Sequence, residues 1–166
     1  MRYIKLLAAA AALLGLLSAP AHAGGFREFS SNCHIDKTRA LNASAWKKYP
    51  AKNQEENHAF YFFYPADYTV DVKLPGIERL LSYKINKKLL PKDSGGFELL
   101  PDNPNIRQAI LPIAGADLRQ LVLRIKLNTR QQGVIKGEYI KTYDGEIEAY
   151  YSDETVHSVC LMILKY

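Results

Sequence analysis

The sequence predicts an all-β domain, a single antiparallel β-sandwich of about seven to nine strands with a short N-terminal helix. Three observations carry this. Short apolar runs are broken at near-regular intervals by Pro and Gly, among them Pro50, Pro65, Pro75-Gly76, Pro91, Pro101, Pro112 and Gly115. Several of these runs alternate apolar and polar residues, the pattern of a strand with one wet face. Asp144-Gly145, the strongest short hairpin signal, stands between two more.

Residues 1–23 stand apart from that domain. Met1-Arg2-Tyr3-Ile4-Lys5 is a short basic start, Leu6 to Leu17 is apolar, and Ala21-His22-Ala23 puts small residues where a signal peptidase reads. This is the pattern of a secretory signal cleaved after Ala23. Residues 24–166 then form one sandwich domain in the periplasm or outside the cell. No run is long enough for a membrane-spanning helix. Arg2 and Lys5 leave with the signal, so the formal charge of +5 falls by two, to +3. That is an ordinary soluble surface. Lys47-Lys48 and Lys87-Lys88 are isolated pairs, not the basic stripe of a nucleic-acid binder.

The mature chain keeps two cysteines, Cys33 and Cys160. In an oxidising compartment such a pair is expected to form a disulfide. Its loop of about 127 residues corresponds to about 5 kcal/mol in the loop-entropy account. The bridge also removes both thiols from any catalytic role.

The elements follow in order. Thr38 to Lys48 is the helix candidate, with Thr38 as cap and Ala40, Leu41, Ala43, Ala45 and Trp46 as a short apolar stripe. His58 to Tyr64 is a dense aromatic strand closed by Pro65. Tyr68, Val70, Val72 and Leu74 alternate with polar residues, as do Leu121, Leu123, Ile125 and Leu127. Leu80 to Ile85 is a weaker strand, with Leu81, Tyr83 and Ile85 on one face. Ile106 to Ile113 reads as a short edge strand, because Pro112 has no N–H to donate. Val156 to Leu164 is apolar on both parities and reads as a central strand covered on both faces. Lys47–Asn57 and Asp93–Asn105 are polar loops.

Val134–Tyr143 and Glu146–Tyr151 form the expected hairpin about Asp144-Gly145. A two-residue turn sets Tyr143 opposite Glu146, Lys141 opposite Glu148 and Tyr139 opposite Tyr150. Ile140, Thr142, Ile147, Ala149 and Tyr151 then make a core face. The other face pairs charges and rings, each pair contributing roughly 0.2–1 kcal/mol. With eleven tyrosines in the chain, this face is the candidate binding surface: Tyr139, Lys141, Tyr143, Glu148 and Tyr150. Tyrosine gives a large contact area at low entropic cost.

Catalytic patterns are sparse. There is no G-x-S-x-G elbow and no phosphate loop, and Ser94-Gly95-Gly96 reads as a plain turn. Glu146 and Glu148 would project about 7 Å apart from one strand face, a separation an inverting glycosidase tolerates. Lys141 as the partner of Glu148 explains that acid by sheet pairing instead. His34, His58 and His157 have no metal-ligand spacing. No catalytic residue, metal or cofactor is expected. The resulting expectation is an exported, non-enzymatic binding protein acting on another envelope or secreted protein, such as a toxin or hydrolase, in the manner of an inhibitor or immunity protein. A carbohydrate or small-ligand module using surface tyrosines is the alternative, and a paired-acid hydrolase comes third.

Overall fold

The computed structural model describes residues 28–50, 52, 55–64, 66–86, 97–100 and 102–166. The signal-peptide reading of residues 1–23 and the Ser94-Gly95-Gly96 turn lie outside these. The strands are β1 (Glu28–Ala40), β2 (Lys47–Lys48), β3 (His58–Tyr64), β4 (Thr69–Lys73), β5 (Leu81–Ile85), β6 (Phe97–Leu100), β7 (Asn103–Ala114), β8 (Leu118–Lys126), β9 (Gln131–Ile135), β10 (Glu138–Tyr151) and β11 (Glu154–Lys165).

All pairings are antiparallel, and they run β1-β3-β4-β5-β7-β8-β10-β11 and back to β1. The expected sandwich is therefore replaced by one sheet of eight strands closed on itself. Closure removes the two long edges that an open sheet would leave unpaired. β2, β6 and β9 are side pairings on β1, β7 and β10.

Alternation decides the inside. Phe29, Cys33 and Ile35 of β1, Ala59, Tyr61 and Phe63 of β3, and Val70 and Val72 of β4 are buried, as are Leu121, Leu123 and Ile125 of β8. The strands expected at His58–Tyr64, around Val70 and Val72, within Leu80–Ile85 and around Leu121–Ile125 all form, and Val70, Val72, Tyr83, Ile85, Leu121, Leu123 and Ile125 are buried as their alternation predicts. Each large apolar side chain moved from water to this interior contributes about 1.5–3 kcal/mol. The interior is filled by its own side chains, with Phe29, Tyr61, Leu111, Ile147 and Met162 fully buried.

The closing seam carries the disulfide. Cys33 and Cys160 are directly opposed in the β1–β11 register and bonded to each other. At the far end of the same two strands Glu28 faces Lys165, their side chains 3.1 Å apart. The bridge fits an oxidising compartment. Among the described residues, no helix is long and apolar enough to cross a membrane.

Four expectations are corrected. The helix over Thr38–Lys48 is absent: Thr38 to Ala40 continue β1, paired to Val156, Thr155 and Glu154, and a turn then leads to β2. Ala40, Leu41, Ala43 and Ala45 of its proposed apolar stripe are exposed, Leu41 at 62%, so little burial supports a helix against the sheet pairing. The Ile106–Ile113 segment is not an edge strand but the inner part of the 12-residue β7. Pro112 is tolerated because it lies between the stretch of β7 that pairs with β6 and the two residues that pair with β5. Its carbonyl accepts from Asn86 N–H at 2.9 Å. β11 is covered on both faces only over Thr155–Ser158; beyond that Val159 and Leu161 are exposed.

The largest correction is the hairpin. Asp144-Gly145 is not a turn; both residues lie inside the 14-residue β10. The turn is Lys136-Gly137, with φ of 50° and 80°, the left-handed pair a two-residue hairpin needs. Tyr139 thus faces Val134, and Lys141 faces Gln132. Gly145 is there for space, not for a turn. A β-carbon at that position would collide with the Arg124 carbonyl oxygen and the Met162 side chain. Glycine inside a strand commonly marks such a close approach.

Replacing both Cys33 and Cys160 by Ala should lower the unfolding free energy by about 2–5 kcal/mol, read as a fall in denaturation midpoint. Gly145→Ala should cost about 1–3 kcal/mol through overpacking; an unchanged melting temperature would contradict the close approach.

Candidate functional site

Because β10 runs straight through Gly145, its side chains alternate along the whole strand. The five predicted surface residues therefore separate. Tyr139, Lys141 and Tyr143 belong to the face that lines the barrel interior further along, while Glu148 and Tyr150 lie on the outer wall. Tyr143 is 8% exposed and belongs to the core. The structure brings the five together into two sites, not one.

The first lies at the end of the barrel where β1, β7 and β10 begin and β8 and β11 end. β8 stops at Lys126, a 3-10 turn spans Leu127–Thr129, and β9 then takes the place of β8 beside β10. Tyr139 and Tyr166 lie with ring centroids 5.8 Å apart. Lys141 Nζ sits 4.5 Å from the Tyr166 ring centre and 5.7 Å from that of Tyr139, within cation–π range. Tyr139 donates its hydroxyl hydrogen to Gln132 Oε1 at 3.0 Å. Tyr166 is tied to this group by its backbone N–H, which donates to Tyr139 O at 3.2 Å.

Two arginines complete the mouth. Burial raises the Tyr143 and Tyr166 pKa values, and Arg107 and Arg130 pull both partway back. Burial lowers the Lys141 pKa, and Arg130 lowers it further. Among the described residues, Arg107, Arg130 and Lys141 have no carboxylate at ion-pair distance. Three cations beside Tyr139 and Tyr166 make a surface suited to an anionic group. On the outer side of β10 a cleft of about 340 Å³ is lined by Asn128, Arg130, Gln131, Thr142, Asp144 and Leu161, among others. Arg107, Arg130 and Tyr166 were not singled out in the sequence. They are far apart in the chain, and only closure of the barrel gathers them.

The second site is the outer wall of β1, β11, β10 and β8. Glu148 accepts from Arg124 at 3.0 Å and from the Tyr150 hydroxyl at 2.6 Å. Arg124 also donates through Nε to Gln108 Oε1 at 2.9 Å. Lys141 is thus not the partner of Glu148; Arg124 is, from the neighbouring strand. Glu146 lies 3.7 Å from Lys126 and 3.5 Å from His157 Nε2. His157 Nδ1 is 3.5 Å from Asp36 Oδ2. His157 is buried, with Trp46 edge-on at 6.0 Å and Arg39 over the Trp46 ring at 4.6 Å. Both glutamates are therefore engaged by cations or imidazole, which is the arrangement of a wall tie across four strands. Among the described residues, no group of three or more His, Cys, Asp or Glu side chains is placed to hold a metal ion.

The chain matches no family model, no curated protein and no solved structure.

Burial works to raise the Glu148 pKa, but the Tyr150 hydrogen bond and Arg124 outweigh it, so the net shift is downward. A carboxylate with a depressed folded-state pKa adds stability above its unfolded pKa and loses it as pH falls through the folded value. Glu148→Gln should therefore destabilise the barrel by about 1 kcal/mol at neutral pH. The difference from the parent should shrink on acidification below the ordinary carboxylate range. A pH-independent difference in chemical denaturation would contradict this account.

Proposed function

We propose that the chain is an exported, non-enzymatic binding protein that acts on another envelope or secreted protein, in the manner of an inhibitor or immunity protein. Its contact surface in this reading is the β9–β10 hairpin and the adjoining mouth. The observation that carries it is the hairpin tip, where Val134 is 69% exposed opposite Tyr139 at 40%, and Ile135 is 56% exposed on the other face of the same strand. Neighbouring exposed apolar residues ringed by polar ones mark a protein contact better than scattered ones do. The left-handed turn at Lys136-Gly137 holds the tip in one shape, so little order is lost on docking. Arg107, Arg130 and Lys141 favour a partner that presents acidic groups, through electrostatic complementarity.

A filled interior supports the same reading, since it leaves rims and outer walls for recognition. A second reading rests on the Tyr139–Tyr166 pair with Lys141 against it. Those rings suit an acidic carbohydrate stacked on a tyrosine.

The decisive experiment is capture from envelope extract of the producing cell with the oxidised protein as bait. Val134→Asp combined with Ile135→Asp should lower recovery of a specific partner about tenfold or more, equivalent to about 1.4 kcal/mol. Leu41→Asp, at an exposed site near the opposite end, should leave it unchanged. Equal loss in both, or none in either, would sink the hairpin as the contact. A glycan-array signal abolished by Tyr139→Ala with Tyr166→Ala would favour the carbohydrate reading instead.

A further inference from the structure

His34 and His58 are 24 residues apart in the chain, yet the β1–β3 register sets them directly opposite each other. Their ring centroids are 4.3 Å apart, with the planes tilted by 38°. His34 is exposed and His58 half-buried on the outer wall.

Each ring is held at one nitrogen by an amide oxygen. His34 Nδ1 lies 3.4 Å from Asn57 Oδ1, and His58 Nε2 lies 2.8 Å from Asn32 Oδ1. The Asn57 amide is oriented by its own Nδ2, which donates to Ile35 O at 3.4 Å. Its oxygen therefore faces His34. An amide oxygen only accepts, so the ring nitrogen facing it must carry the proton. In the neutral imidazole the other nitrogen then holds a free lone pair. This leaves Nε2 of His34 and Nδ1 of His58 as unprotonated donors. The same arrangement, one ring N–H given to an oxygen and the other nitrogen left for the ion, accompanies most metal-binding histidines. Phe60 stacks on His58 at 5.3 Å and 7°, which further limits rotation of that ring.

We propose that His34 and His58 together bind a divalent late first-row transition ion, Cu²⁺ in preference to Ni²⁺ or Zn²⁺. A metal–imidazole bond of about 2.0–2.1 Å requires the two donor nitrogens to sit roughly 3–4 Å apart, within reach of rings whose centres are 4.3 Å apart. No third His, Cys, Asp or Glu completes a cluster among the described residues. The remaining positions are thus filled by water, a two-nitrogen, oxygen-rich set that suits the tetragonal preference of Cu²⁺. The order of preference follows the general affinity series of divalent ions. Binding displaces water and involves no change of oxidation state.

The test is titration of the oxidised protein with Cu²⁺, followed by calorimetry and by electron paramagnetic resonance. One equivalent should bind with a spectrum of two equatorial imidazole nitrogens. His34→Ala and His58→Ala should each weaken binding by about 100-fold, and Asn57→Leu by about tenfold through loss of the orienting oxygen. His157→Gln should leave affinity unchanged. In the parent protein, substoichiometric Cu²⁺ should broaden the imidazole proton resonances of His34 and His58 before those of His157, a readout that needs no variant. Affinity unaltered in both alanine variants, or first broadening at His157, would overturn the assignment.

Discussion

The pairing of β1 with β11 turns a meandering sheet into a barrel, and the remaining geometry follows from that closure. Twelve opposed pairs, interrupted by one bulge between Ile35 and Lys37, would hold these strands by backbone hydrogen bonds alone. The chain adds a covalent bond at Cys33 and Cys160, which occupy facing positions on the interior side. On the exterior, a bulge between Ile35 and Lys37 lets Asp36 lie at 3.5 Å from His157, and His157 links onward to Glu146 of β10. The seam thus carries a disulfide on its inner face and, on its outer face, an imidazole lying 3.5 Å from each of two carboxylates. A disulfide that closes so long a loop limits the unfolded chain most, and here it acts where the sheet has no connecting turn.

Closure also sets the path of β10, the strand that contributes to both the mouth and the outer wall. To pair with β8 on one edge and β11 on the other, it must remain extended from Glu138 to Tyr151. Gly145 allows this by admitting Arg124 and Met162 where a side chain would block them. The consequence is a division of labour along one strand. Its first half pairs with β9 and presents Tyr139 and Lys141 to the mouth; its second half presents Glu146 and Glu148 to the outer wall.

The electrostatics of these two surfaces differ in kind. On the outer wall, acids and bases meet in matched pairs, and Glu148 is held ionised by Tyr150 and Arg124. At the mouth, Arg107 and Arg130 lie within electrostatic range of Tyr143 and Tyr166, and the Lys141 pKa is lowered first by burial and then by Arg130. A fold does not gain stability from like charges brought together. An anionic partner would offset that cost, which is why the proposed binding function is placed at the mouth and its hairpin.

The sequence by itself determined the β character of the chain, the inward faces of several strands and the cysteine pair. Alternation in segments such as Val70-Asp71-Val72 and Leu121 to Ile125 is a local signal, and burial on one side of a strand demands it. Two cysteines in a chain with an export-like start have few other fates. What only the tertiary structure decided is which strands meet. Whether the sheet closes depends on pairing between the two ends of the chain, a contact that leaves no local trace. Asp144-Gly145 looks like a turn because Asp-Gly so often is one, but a glycine demanded by a neighbour 17 residues away, Met162, is spelled the same way as a glycine demanded by φ. The true turn, Lys136-Gly137, is a weaker local signal and prevails because β11 holds β10 straight. The grouping of Arg107, Arg130, Lys141 and Tyr166, and the meeting of His34 with His58, follow from the same cause. Both depend on register and closure between distant strands, which alternation along one strand does not encode.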